Sequence, residues 1–328
     1  QVDVLITTYG ILRRDLERFC SREWSLLVVD EAQNLKNPES EQTRAVKSLP
    51  ARARLALSGT PVENRLSELW SLFDFLNPGY LGSLAEFGRR FIVPIEKYRD
   101  RDRIEKLRQA TAPFILRRLK TDRAVIKDLP DKVINNEYCH LTPEQAALYQ
   151  EVVDGTLRQI EASAGITRRG LIFKLLTALR QICNHPVHFT RKGEPAKELS
   201  GKAEKAVELI NGVVRSGEKA LVFTQFREMG ELLVRLLSRE LEEEILFFHG
   251  GLSPAARTAL VERFQESADC PVMVVSLKAG GTGLNLTAAT NVLHYDLWWN
   301  PAVEDQAADR AYRIGQTRTV MVYRLITL

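Results

Sequence analysis

"SLLVVDEAQNLKNP", residues 25–38, drives an apolar run, Leu26 to Val29, directly into two adjacent acids, Asp30 and Glu31. The run has the length and β-branched content of a buried parallel strand, and it ends on carboxylates rather than on a Gly or Pro turn. The acids therefore stand at a strand's C-terminal end. In open α/β sheets ligands bind along that edge, and a strand-end Asp is one of the groups that hold Mg²⁺ in P-loop nucleotide hydrolases. Two neighbouring acids can divide the work there, Asp30 toward a metal and Glu31 toward an attacking water. An isolated apolar run followed by Asp-Glu also opens ordinary solvated turns, so the rest of the sequence has to decide.

Outward from this stretch, strands alternate with helical patterns at both ends of the chain. Strands are expected at 2–7, 26–29 and 54–57, and again at 220–223, 245–248, 272–276, 291–294 and 320–325. From about residue 87 to 186 the pattern is almost wholly helical, as in "YQEVVDGTLRQIEAS" and "LIFKLLTALRQI", broken only by the extended "DLPDKVINNEYCHLT". The expected fold class is α/β: two lobes of parallel sheet flanked by helices, with a helical insertion between them. The corresponding division is 1–78, 79–197 and 198–328.

Composition narrows the class without choosing a function. With 45% hydrophobic and 27% charged residues the chain fits a soluble globular protein, and no apolar stretch approaches the length of a membrane span. Cys20, Cys139, Cys183 and Cys270 are scattered and form no CxxC pair, which argues against a disulfide framework and a zinc ribbon and for a reducing, intracellular setting. "CNHPVH" gathers Cys183, His185 and His188 but has no second ligand pair at zinc spacing, so it reads as the end of a core helix. A net charge of +4, from 46 basic against 42 acidic residues, permits nucleic-acid binding without arguing for it. The chain opens on Gln rather than Met and both ends are strand-like, so a fragment of a longer protein is expected.

Three further stretches carry chemistry. In "LALSGTPVENRLSELW" a strand leads into Ser58, Gly59 and Thr60 before Pro61 opens a helix; Gly59 permits close backbone approach, and the two hydroxyls could couple a phosphate-side event to the neighbouring lobe. In "VVSLKAGGTGLNLTAA" Lys278, Gly280, Gly281, Thr282 and Gly283 follow a strand, a place where freed backbone N–H groups can cradle phosphates. In "NPAVEDQAADRAYRIGQTR" the spacing of Gln306, Asp309, Arg310 and Arg313 places them on one face of one helix, from which two guanidiniums could reach a γ-phosphate. Each stretch alone also fits a plain turn or a solvated helix.

Taken in order, "VVDEAQNLKNP", "LALSGTPVENRLSELWSLFDFLNPG", "PFILRRLKTD", "LRQICNHP", "SLKAGGTGLNLTAATNVLHYDLWWNPAVEDQAADRAYRIGQTR" and "VYRLIT" resemble the Swi/Snf-type ATPases of helicase superfamily two, bacterial members above all. The resemblance covers nearly the whole chain. It implies two RecA-like lobes, the first incomplete, ATP and Mg²⁺ as cofactors, and translocation along double-stranded DNA to move or displace bound proteins, RNA polymerase among the candidates. By likeness Asp30 holds Mg²⁺ and Glu31 positions water, with Gln33 in place of a His common in relatives. Ser58, Gly59 and Thr60 correspond to the interlobe coupling motif. Residues 278 to 285 touch DNA phosphate and nucleotide, and Gln306, Arg310 and Arg313 form the arginine-finger motif. Thr7, Thr8 and Tyr9 correspond to a first-lobe DNA contact, Thr224 and Gln225 to its second-lobe counterpart, and Arg117 and Arg118 to basic residues near the DNA. The bacterial likeness implies a cytoplasmic protein of the nucleoid.

One departure bears on activity. The family's Gly-Lys-Thr phosphate loop has no counterpart here, since the one Gly-Lys, Gly201-Lys202, is followed by Ala203. The polypeptide as it stands is therefore expected to hydrolyse little or no ATP while its intact parent does. The rival readings are a non-hydrolysing DNA- or polymerase-binding scaffold and a strand-separating helicase.

Overall fold

A computed structural model of the chain describes residues 3–59, 65–118, 120, 129–277 and 283–328. The chain divides into two compact units, Gln1–Arg118 and Leu119–Leu328. The helical stretch expected as a separate middle segment is shared between them.

In the first unit the principal elements are α1 (Tyr9–Arg14), β1 (Trp24–Val29), α2 (Glu41–Ser48), β2 (Ala51–Ala56), α3 (Leu66–Leu76) and α4 (Arg101–Thr111). β1 and β2 pair in parallel with Val29 opposite Ala56. The strand expected at 2–7 is not formed: residues 4–8 have no regular structure, and Val4 and Ile6 are 76% and 91% exposed. A strand needs a ladder partner for its backbone groups, and the described residues offer it none. β1 also differs from the fully buried strand expected. Val29 packs with Leu12, Ala32, Leu35, Val46, Leu49, Leu72 and Phe75, while the alternate residues Leu26 and Val28 are 53% and 47% exposed. Side chains alternate across a strand, so an apolar run without polar interruption supplies two apolar faces, of which one is packed here.

The second unit holds β3 (Lys132–Cys139), α5 (Pro143–Glu161), α6 (Gly165–Asn184), α7 (Gly201–Arg215), β4 (Ala220–Thr224), α8 (Arg227–Leu241), β5 (Ile245–Phe248), α9 (Pro254–Glu266), β6 (Val272–Ser276), β7 (Asn291–His294), α10 (Pro301–Ala308) and β8 (Val320–Thr327). Six strands form one parallel sheet in the order β3-β8-β7-β4-β6-β5. The extended segment inside the helical region is thus an edge strand of this sheet. Its interior strands β4 and β6 are apolar on both faces because both are covered. In β4, Ala220 and Val222 face one core with Met229, Leu233 and Leu237 of α8, and Leu221 and Phe223 face the other with Phe264 and Tyr312. α8 buries Met229, Leu232, Leu233, Leu236 and Leu237, the spacing of a single helical stripe.

One buried group makes this unit sensitive to acid. His294, 1% exposed at the end of β7, stacks on Phe223, and neither ring nitrogen has a hydrogen-bond partner among the described residues. Burial, with Arg324 and Lys132 nearby, lowers its pKa from 6.5 to about 3. Because the folded pKa is depressed, the stability from the neutral ring is present above pH 6.5 and lost as pH falls toward 3. Relative to His294→Phe, the wild-type chain should lose about 2 kcal/mol of unfolding free energy between pH 7.5 and pH 5, read by denaturant titration at the two pH values.

Candidate functional site

In the first unit the parallel pairing of β1 and β2 brings the strand-end acids beside the segment that follows β2. Backbone bonds carry the ladder past both strands, with Leu57 N–H donating to Val29 O and Ala32 N–H to Leu57 O, each at 2.8 Å. Glu31 turns the chain off the strand in the left-handed region at φ 49°, a conformation unfavourable for a residue with a Cβ and found at functional sites. A short 3₁₀ turn, Ala32–Leu35, follows. The result is a hydrogen-bonded row: Gln33 Nε2 donates to Glu31 Oε2 at 2.5 Å, and Ser58 Oγ donates to Gln33 Oε1 at 2.8 Å. One carboxylate oxygen of Glu31 is fixed while the group stays half-buried.

Asp30 is exposed. One of its oxygens takes the Glu31 N–H at 2.8 Å, and the other enters no hydrogen bond among the described residues. No group of three or more His, Cys, Asp or Glu side chains gathers for a metal among the described residues. A single accessible carboxylate fits Mg²⁺, which commonly keeps several waters and takes its other ligands from substrate phosphates. Tyr9 donates its hydroxyl to the Asp30 carbonyl at 2.7 Å; burial foremost, then the charges of Asp30 and Glu31, raise its pKa to about 12. Tyr9 thus braces the acid from behind. Thr8 caps α1 by accepting from Ile11 N–H, and Thr7, Arg117 and Arg118 are exposed. Gly59 is exposed beside Ser58; Thr60 lies outside the described residues.

In the second unit Lys278, Gly280, Gly281 and Thr282 also lie outside the described residues. Just after them Gly283, at φ 67° where glycine is favoured, and Leu284 offer their carbonyls to Arg313 Nη1 at 3.5 and 3.0 Å. Arg313 is thereby tied to the exit of the glycine-rich segment. The single helix expected through Gln306, Asp309, Arg310 and Arg313 is corrected: α10 stops at Ala308. Beyond it the backbone tightens into i→i−3 bonds, Arg310 N–H to Ala307 O and Ala311 N–H to Ala308 O at 3.1 Å each, and turns at Gly315 with φ 101°. Gln306 is half-buried on the helix, Arg310 is 6% exposed, and Arg313 is half-buried.

A residue that the sequence reading passed over organises this turn. Gln316, 4% exposed, donates Nε2 to the carbonyls of Thr287, Ala289 and Ala311 at 2.9, 2.9 and 3.2 Å. Its Oε1 accepts from Thr317 and Arg318 N–H, each at 3.1 Å. Nothing in a lone "GQT" signals this role, because the carbonyls it satisfies lie up to 29 residues away. Asp296 is the second such residue, 3% exposed, and here a signal was present: "VLHYD" is again an apolar run ending on an acid. Asp296 accepts from Thr224 Oγ1 at 2.5 Å, Gln225 N–H at 2.8 Å and Asn184 Nδ2 at 3.1 Å. Thr224, expected as a DNA contact, is fully buried with its hydroxyl directed to Asp296.

Two other stretches have structural roles. A Cβ on Gly201 would collide with the His140 carbonyl, and Lys202 is 7% exposed, so Gly201-Lys202 is a packing site rather than a phosphate loop. In "CNHPVH" α6 ends at Asn184, and His185 bonds Val187 N–H and the Ala196 carbonyl.

Strand-end acids beside a parallel ladder in one unit, and a six-stranded parallel sheet with an arginine-bearing turn in the other, define a helicase-like α/β protein. The SNF2-related domain family matches residues 1–188, and the helicase conserved C-terminal domain matches 201–315. The chain belongs to the SNF2-related family. It is 48% identical over 328 residues to YwqA of Bacillus subtilis, a candidate ATP-dependent helicase/translocase, covering 99% of this chain and 35% of that one. It is 36% identical over 350 residues to the human DNA excision repair protein ERCC-6, covering 99% of this chain and 23% of that one. The SWI2/SNF2 ATPase core of Sulfolobus solfataricus, solved in complex with dsDNA, is similar in structure with a TM-score of 0.55 and 44% identity, over 99% of this chain and 68% of that one. The chain thus spans about a third or less of the length of these curated relatives.

Replacing Gln316 by Leu keeps the volume but leaves buried carbonyls without their donor. It should destabilise the second unit by roughly 3 kcal/mol in denaturant titration.

Proposed function

We propose that the protein carrying this chain is a Swi2/Snf2-type motor that hydrolyses ATP with Mg²⁺ to translocate along double-stranded DNA and displace proteins bound to it. The observation that carries the reading is the row Glu31–Gln33–Ser58, which joins a strand-end carboxylate to the end of the neighbouring strand through two side-chain hydrogen bonds. A solvated turn has no need of it. The Sulfolobus core solved with dsDNA supports the choice of polymer, and the DNA-repair relative supports a task on DNA.

The geometry within each unit supports a division of labour. The accessible Asp30 carboxylate suits the metal, and Glu31, with one oxygen held by Gln33, keeps its other oxygen to orient a water and take its proton. Bound Mg²⁺–ATP supplies the phosphoryl group and the charge that develops on it. Arg310 and Arg313 are the cations for that charge, Arg313 held to two backbone carbonyls and therefore pre-oriented. Ser58 reports the state of Glu31 to the segment after β2. DNA contacts fall on backbone phosphates, since a motor that moves along a duplex ignores sequence. RNA polymerase and other DNA-bound proteins are the objects displaced, and the protein works at the nucleoid in the cytoplasm. The 328 residues alone, which include no Gly-Lys-Thr loop, hydrolyse little or no ATP.

The test is an ATPase and triplex-displacement assay on the full-length protein with linear duplex DNA. The wild type should be stimulated by duplex and should strip a third strand without separating the other two. Glu31→Gln should lower kcat by about 100-fold or more, and Ser58→Ala should lower the DNA-stimulated rate about tenfold. Duplex separation would instead identify a helicase, and duplex binding without any ATPase activity would identify a scaffold.

A further inference from the structure

We infer that Lys120, Lys132 and Asp309 form a charged clamp that holds the arginine-bearing turn in one shape, so that all three are positioning residues for ATP hydrolysis. Their role rests on the ATPase function proposed above and adds to it residues that touch neither nucleotide nor DNA.

Asp309 is the first residue beyond α10, with Arg310 next to it and Arg313 four further on. Both lysines reach the two ends of this stretch. Lys120 Nζ lies 2.9 Å from Asp309 Oδ2 and donates to the Tyr312 carbonyl, immediately before Arg313, at 3.2 Å. Lys132, the first residue of β3, places Nζ 3.6 Å from Asp309 Oδ1 and 5.7 Å from the centre of the Tyr312 ring. Arg310 is thus bracketed, and the backbone that enters Arg313 is held. Lys120 belongs to "PFILRRLKTD", a stretch otherwise noted only for Arg117 and Arg118.

On local grounds a carboxylate at position 309 is unfavourable. It caps the C-terminal end of α10, where the helix dipole presents negative charge, and it stands four residues from Asp305, a like-charge pair at helical spacing. Cations offset both effects. Lys132 Nζ also lies 3.7 Å from Asp305 Oδ1, and Arg324 of β8 sets Nη2 3.8 Å from that same oxygen and Nε 3.2 Å from Glu304 Oε2. Charges of alternating sign therefore run from Glu304 through Arg324, Asp305, Lys132 and Asp309 to Lys120. The far end of the row is fixed, because Glu304 is buried and accepts the Trp298 N–H at 2.8 Å. Isolated surface pairs contribute little, whereas a network anchored on a buried, hydrogen-bonded acid fixes geometry. Fixed geometry is what a cation needs in order to meet charge that develops only in a transition state.

The test is steady-state ATP hydrolysis by the full-length protein at saturating linear duplex, with duplex affinity read separately from the anisotropy of a fluorescein-labelled duplex. Asp309→Asn should lower kcat about tenfold and leave KM for ATP and Kd for duplex at their wild-type values. Lys120→Gln should lower kcat about threefold, and Lys120→Arg, which keeps the charge and a donor, should restore it. In an Arg313→Ala background the penalty of Asp309→Asn should shrink to about twofold or less, because a group that it positions is gone. A loss caused by misfolding would carry over undiminished. Wild-type kcat for Asp309→Asn, an undiminished penalty in the Arg313→Ala background, or weaker duplex binding by Lys120→Gln at unchanged kcat would overturn the inference. If Asp309→Asn fails to fold, Lys120→Gln and its rescue by Lys120→Arg decide. A wild-type protein without duplex-stimulated ATP hydrolysis would overturn the proposed function instead.

Discussion

Parallel pairing sends the C-terminal ends of all strands in a sheet to the same edge, and the chemistry proposed for this protein collects there. In the first unit the pairing of β1 with β2 is what places Ser58 within reach of Gln33 and Gln33 within reach of Glu31. In the second, the pairing of β7 with β4 puts Asp296 beside Thr224 and Gln225, with Tyr295 N–H donating to Phe223 O one residue earlier. A slip of one residue in either register would turn every side chain to the opposite face and dissolve both networks. Apolar packing that fixes register is therefore also what fixes the candidate sites.

Buried polar groups hold what the strands bring together. Gln316, Asp296 and Gln145 each satisfy several backbone groups at once; Gln145 donates to the Ile182 carbonyl at 2.7 Å and accepts from Thr142 and Gly201 N–H. Each sits where irregular backbone or a helix end enters the interior and would otherwise leave buried donors and acceptors without partners. Rigidity at such places suits loops that must present charges in a fixed geometry. The arginine turn is of this kind, with Gln316 beneath it and Arg313 tied across to Gly283 and Leu284.

Much of this was legible in the sequence. Five strands of the second unit begin where the apolar runs place them, chiefly because strands buried on both faces are written as uninterrupted apolar residues. The acids at the end of β1 were legible because they close an apolar run, although only one face of that strand is packed. Less legible was anything set by a distant partner. Residues 2–7 look like a strand in isolation, yet strand formation depends on a neighbour that the described residues do not supply. The spacing of Arg310 and Arg313 fits a helix, and only the tertiary contacts of Gln316 and Leu286 show why the helix ends at Ala308. Thr224 looks like a surface hydroxyl until β7 supplies the carboxylate that buries it.

The open face of β1 and β2 has a consequence for handling the chain. Leu26, Val28 and Leu55, on adjacent parallel strands, and Leu57 just beyond β2 are between 45% and 53% exposed. An apolar sheet face of this kind is a ready template for self-association, as are ladder edges that no described residue pairs. Expressed as these 328 residues, the polypeptide should be a poor crystallisation target and a good substrate for chaperones, with solubility limited by this patch rather than by its net charge of +4.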